Sequence, residues 1–162
     1  MPRRRVEDLG AFDARLATPF AVLGIRTAAE QLTDIVFLPL QSATLDPRNA
    51  LAEKTCAQLL RYLDDPQFRF ELPFVLDGTP FQCRVWRQIC AIPAGRTRSY
   101  GEIAKALRSA ARAVGAACGD NRIPLVIPCH RVVGAGGLGG FMHSRDGLPL
   151  RIKRWLLTHE GC

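Results

Sequence analysis

The tetrapeptide Asp77-Gly78-Thr79-Pro80 is the feature that most limits how this chain can fold. Glycine and proline punctuate a chain strongly, and here they separate two hydrophobic patterns. Ahead of the turn the apolar residues come in strand-length runs; beyond it they recur at helical spacing. Phe12–Thr18, Ala21–Ala28 and Leu32–Pro39 are such runs, broken by Pro19 and by Glu30-Gln31, and they predict a meander of strands. Asn49–Leu63 carries Leu51, Cys56, Leu59, Leu60 and Leu63 near the helical period, with Pro66 just past its end, so a helix is expected there. Phe68, Phe70, Leu72 and Phe74 alternate, which predicts a strand over Phe68–Leu76. We therefore expect an α+β chain of two domains, residues 1–76 and 77–162, with no catalytic constellation in the first.

The second half reads as helices followed by a small hairpin and a glycine-rich loop. Phe81–Ile92 places Phe81, Val85, Trp86 and Ile89 on one face, and Pro93-Ala94-Gly95 ends it. Ser99 is positioned to cap a helix over Tyr100–Leu107, with Glu102 near the positive end of its dipole. After Arg108-Ser109 a second helix, Ala110–Cys118, is closed by Gly119-Asp120-Asn121. Two short helices joined by a tight turn have the spacing of a helix-turn-helix. Leu125–Ile127 and Val132-Val133 read as flanking strands, Gly134–Gly140 holds five glycines in seven residues, and Leu150–His159 is a final amphipathic helix. The set predicts a winged helix-turn-helix.

Charge points to the partner. Residues 1–76 hold nine Lys/Arg against ten Asp/Glu, whereas residues 77–162 hold thirteen against five, so the net +7 resides in the second half. A domain of that charge suits a polyanion, most often nucleic acid. The longest uncharged run, Val132–Ser144, is glycine-rich and shorter than a membrane span, so no membrane association is expected. The start is basic, but Glu7 and Asp8 follow where a signal peptide would need an apolar core, and a cytoplasmic protein is expected. The six cysteines include no C-x-x-C pair, and all three histidines lie beyond residue 129. We expect reduced thiols, no disulfide framework, no metal site and no cofactor.

One thiol stands apart. Ile127-Pro128-Cys129-His130-Arg131 sets a cysteine behind a rigid proline and ahead of an imidazole, an arrangement suited to a nucleophile rather than to packing. Adjacent side chains on extended backbone face opposite ways, so His130 needs a bridging water or a local turn to serve Cys129. The second helix of the helix-turn-helix pair, by contrast, is almost bare. Its Ala/Gly surface carries only Arg112, which reads few base edges but allows close approach to a groove and lets one cation replace a base or neutralise phosphate.

Seven blocks occur in order: Phe81-Gln82-Cys83-Arg84-Val85-Trp86, Ile92-Pro93-Ala94-Gly95, Ser99-Tyr100-Gly101-Glu102-Ile103-Ala104, Ala111-Arg112-Ala113-Val114-Gly115, Asn121, Ile127–Val133, and Trp155–Gly161. Together they resemble the O6-alkylguanine-DNA alkyltransferases across residues 79–161. The resemblance implies a ribonuclease-H-like α/β first domain and direct-reversal DNA repair. In that reading O6-alkylguanine, and O4-alkylthymine, is flipped from duplex DNA and its alkyl group moves irreversibly to a cysteine of the protein. It implies Cys129 as acceptor, His130 as its base through a water, Glu160 holding the imidazole, Asn121 ordering the adjacent turn, and Tyr100 protonating guanine N3. Arg112 would fill the gap left by the base, with Ser99, Ala111, Ala113, Gly115 and Arg131 also on DNA. The carbonyls of Cys129 and Val132 would accept from the guanine amino group, and Gly140, Phe141 and Met142 would close over the base. The protein would act as a monomer, with clustering along DNA left open.

Phe141 and Met142 depart from the Tyr and Ser of some relatives, and no histidine precedes residue 130 to serve the first-domain zinc site that some carry. A lesion-binding protein without transfer activity would lack the nucleophile that Cys129 provides. A winged-helix regulator would need base-reading side chains, and a Cys-His hydrolase an oxyanion-hole motif.

Overall fold

A computed structural model describes residues 12–162, and the basic start with Glu7 and Asp8 lies outside that range. The first half is an antiparallel meander, β1 Ala14–Ala17, β2 Val22–Ala28 and β3 Gln31–Leu38, in that spatial order. Gly24 of β2 lies against the Phe12 ring, where an added Cβ would come within 2.6 Å of Cε1, so only glycine lets the ring cover the strand. The helix α1, Ala50–Asp64, lies across this sheet; the Asn49 side chain accepts from Ala52 N at its start. Its Ala52, Cys56, Leu59 and Tyr62 share a core with Leu23, Ile25, Leu32 and Ile35 of the strands.

The expected strand Phe68–Leu76 is not formed. Burial does alternate there, with Leu72 inside and Arg69, Glu71, Pro73 and Val75 exposed, but the segment has no ladder partner. Pro73 has no N–H to offer, and its carbonyl takes a single bond from Leu32 N at 2.8 Å. The side chain of Gln58 replaces a neighbouring strand, accepting from Glu71 N at 2.9 Å and donating to Glu71 O at 3.1 Å.

Beyond the turn, α2 spans Pro80–Cys90. Thr79 and Gln82 form a reciprocal capping box and Pro80 occupies the first turn, so the helix start is written in four residues. Two residues, β4 Arg98–Ser99, precede α3, Tyr100–Leu107, which Ser99 caps by accepting from Glu102 N at 3.0 Å. Arg108 turns left-handed at φ 54° and leads into α4, Ala111–Gly119. Two expectations fail here. Leu125–Ile127 is a tight turn with Leu125 at φ 75°, closed by a bridge between Pro124 and Ile127, and it does not pair with Val132-Val133. The strand β5, Val132–Val133, pairs in parallel with β4 instead. The last helix, α5, runs Gly147–His159, three residues longer at its start than the sequence indicates. Val85, Trp86, Ile89, Ile103, Val114, Ile152 and Leu156 join the same core as the meander, so helices and sheet are packed as neighbours.

Candidate active site

Cys129 opens a short 3₁₀ turn, Cys129–Arg131, between the Pro128 approach and β5. That turn removes the objection from extended backbone, because successive side chains no longer alternate between faces. The Cys129 side chain is buried and lines the floor of a cavity of about 790 Å³. Asn121 reaches it from the end of α4: its amide nitrogen lies 3.2 Å from Cys129 Sγ and donates to Ile127 O at 2.8 Å, while its oxygen accepts from Ile123 N. One buried amide thus ties the thiol to the turn that carries it. Burial pushes the Cys129 thiol up to about 11, against the opposing pull of Asn121 and of the Lys153 charge.

His130 is buried and its Nε2 lies 2.8 Å from Glu160 Oε2. Burial lowers the imidazole pKa despite Glu160, so the ring is neutral near pH 7. Burial also opposes charge on Glu160, but the hydrogen bonds from His130, Arg131 and Tyr62 outweigh it and hold the carboxyl well below the usual range. A neutral ring facing a carboxylate must donate through Nε2–H. Nδ1 is then the acceptor, and it is the ring atom with no partner among the described residues.

Glu160 gathers more than the sequence indicates. Tyr62 donates to Oε2 at 2.6 Å from α1, and Arg131 donates to both carboxylate oxygens at 2.8 and 3.0 Å and to Ile92 O at 2.7 Å. Arg131, expected on DNA, is therefore turned inward, because its guanidinium is committed to a buried carboxylate.

Tyr100 stands at the cavity wall and donates to Gly140 O at 3.0 Å. Burial raises its pKa, so the phenol keeps its proton. Lys153, wholly buried on α5, was not foreseen. Its Nζ donates to the carbonyls of Val132, Leu138 and Gly140 at 2.6, 2.6 and 2.8 Å and lies 3.4 Å from the Tyr100 oxygen. Burial lowers the ammonium to about 8. The signal was present in the sequence: Lys153 lies three residues before Leu156 and four before Leu157, on the apolar face of α5. Val132 itself is buried, and its carbonyl is already used by Lys153.

Along the mouth, Ala111, Arg112 and Gly115 of α4 line the cavity, as do Gly140, Phe141 and Met142; Ala113 does not. Ser99 spends its hydroxyl on the α3 cap. The Phe141 ring is buried 5.7 Å from Phe37 of β3, which anchors that part of the loop to the meander. Cys118 is a second buried thiol lining the same cavity. Among the described residues no helix is long and apolar enough to cross a membrane.

Residues 80–162 match the family described as 6-O-methylguanine DNA methyltransferase, DNA binding domain. The chain is 43% identical over 134 residues to a methylated-DNA--protein-cysteine methyltransferase of Mycobacterium leprae, covering 79% of this chain and 81% of that one. It is 48% identical over 91 residues to a probable methylated-DNA--protein-cysteine methyltransferase of Acanthamoeba polyphaga mimivirus, covering 55% and 58%. It spans about half the length of this and other curated relatives it matches. The crystal structure of Mycobacterium tuberculosis OGT in complex with DNA superposes with a TM-score of 0.76 at 38% identity, over 90% of each chain.

Proposed function

Because the chain belongs to the 6-O-methylguanine DNA methyltransferase family, we propose that it repairs DNA by direct reversal, moving the alkyl group of O6-alkylguanine irreversibly onto Cys129. O4-alkylthymine, which presents the same O-alkyl group, is included. The observation that carries the reading is a buried thiol at a cavity floor, held by Asn121 and followed by an imidazole fixed in one tautomer by Glu160.

The step balances on this chain's own residues. Attack at a saturated carbon calls for a soft nucleophile, and a thiolate is the best a protein offers. With its thiol held near 11, Cys129 is protonated at rest and must lose a proton to react. His130 Nδ1 takes that proton through an intervening water, and Glu160 stabilises the imidazolium that forms. The S–C bond forms as the C–O6 bond breaks, and the electron pair passes into the guanine ring. Tyr100 gives its proton to N3, which makes guanine a leaving group, and the Lys153 ammonium beside it stabilises the phenolate. The thioether that results has no route back, so each molecule acts once.

Reaching the base requires flipping it, at a cost of a few kcal/mol of unstacking. Arg112, exposed near the start of the Ala/Gly helix α4, enters the stack in its place. We assign the meander and α1 to a ribonuclease-H-like domain over residues 1–76, and α3–α4 to the helix-turn-helix of a winged domain over residues 77–162. The protein acts as a monomer in the cytoplasm, where its thiols stay reduced. Cys129→Ser should still bind a duplex carrying O6-methylguanine but transfer nothing. Transfer at the wild-type rate by that variant would overturn the assignment.

A further inference from the structure

We infer that His143 latches the turn 141–144 over the cavity mouth and so sets how large an alkyl group reaches Cys129; this rests on the alkyl-transfer reading above. Phe141 N donates to Ser144 O at 2.7 Å and Ser144 N returns the bond to Phe141 O at 2.9 Å, closing a two-residue turn. Its central residues, Met142 and His143, have φ of 51° and 62°. A turn of this kind needs positive φ at both positions and normally fills them with Asn and Gly. Side chains as large as Met and His are strained there.

The same strain occurs at Ala29 and Glu30, with φ of 49° and 61°, but there the whole β2–β3 ladder, from Val22↔Leu38 to Ala28↔Gln31, holds the turn shut. At 141–144 the ladder is a single pair, Phe141↔Ser144. The imidazole supplies what the ladder lacks. His143 Nε2 lies 2.8 Å from Asp120 Oδ1, just past the end of α4. Asp120 Oδ2 in turn accepts from Gln82 Nε2 at 3.0 Å, and Gln82 is fixed in the α2 capping box by Thr79. The ring rests on Gly119, where a Cβ would stand 2.4 Å from Cε1 and Nδ1, so the seat exists only because residue 119 has no side chain. Met142, His143 and Gly119 all line the cavity that holds Cys129.

The latch is weak by construction. The His143 and Asp120 side chains are 56% and 44% exposed, and a pair this exposed shifts an equilibrium by roughly two- to fivefold. The strained turn is thereby kept closed in the free protein yet opens readily for a larger group.

Two variants reach the latch from opposite sides. His143→Ala removes the ring, whereas Gly119→Ala keeps the ring, fills its seat and favours the helix. Each should raise hydrogen exchange at the Phe141 and Ser144 amides of the DNA-free protein by roughly two- to fivefold. Each should also raise the rate of transfer from a duplex containing O6-benzylguanine relative to one containing O6-methylguanine. Unchanged exchange with an unchanged benzyl-to-methyl ratio in both variants would overturn the latch. A wild-type protein that transfers no alkyl group to Cys129 would overturn the transfer reading instead, leaving amide exchange to decide the latch.

Discussion

Glu160 Oε2 lies 2.8 Å from His130 Nε2, and this contact decides which imidazole nitrogen can act. With the ring neutral and Nε2–H donating, the Nδ1 lone pair is the proton acceptor. Glu160→Gln keeps the shape but removes the charge that stabilises the imidazolium and balances Arg131. Breaking a buried pair in this way costs on the order of 3 kcal/mol. We expect a lower melting temperature together with a transfer rate reduced by at least about tenfold. Single-turnover transfer measured well below the melting transition separates the two, and a full rate there would remove Glu160 from the mechanism.

The same carboxylate makes the fold sensitive to acid. Its folded pKa is held below the ordinary 4.5, so its contribution is fully present above that value and is lost as pH falls through the folded one. Arg131→Met removes two of the bonds that hold it down, so the folded pKa rises. Acid unfolding followed by circular dichroism should then begin at a higher pH than in the wild type. An unshifted or lower midpoint would contradict the assigned cause.

Lys153 couples the loop to Tyr100. Charge-assisted bonds of this kind contribute roughly 1.5–3 kcal/mol each, so Lys153→Met should slow transfer by about tenfold or more. Below its pKa of about 8, however, burying the ammonium itself costs stability, because the unfolded value is 10.5. That cost offsets only part of the lost bonds, and the carbonyls of Val132, Leu138 and Gly140 are left without their donor, so the variant should melt below the wild type at pH 7. In the wild type, the rate gained as the thiol ionises should level off above about pH 8, where Lys153 loses its charge. A rate that climbs without a break toward pH 11 would argue against the coupling.

Arg112→Ala should leave the fold intact, since the side chain is exposed and α4 is already rich in alanine. It should slow base flipping, followed by stopped-flow fluorescence of a base analogue opposite the lesion. An unchanged flipping rate would return Arg112 to an ordinary solvated charge.

Much of this arrangement was legible in local sequence. Ser99 marks the start of α3 and Asn49 that of α1, because caps act within three residues. The meander follows from short apolar runs, and Cys129 from its neighbours. What depends on distant partners was not legible. Phe68–Leu76 alternates as a strand would, yet whether it pairs depends on Gln58, Leu32 and the missing N–H of Pro73. The resemblance puts Arg131 on DNA, but its partner is 29 residues away, and Tyr62 meets Glu160 across 98 residues. No periodicity encodes such separations. The inward turn of Arg131 is a consequence of Glu160 being buried, a property only the assembled core has.

The central claim is tested most directly by intact-protein mass spectrometry after mixing with a duplex containing one O6-methylguanine. The account predicts a gain of one methyl group per molecule, mapped by peptide sequencing to Cys129, with no further gain when substrate is added in excess. No gain in mass despite binding, or a methyl group found on Cys118, the other thiol of the cavity, would contradict it.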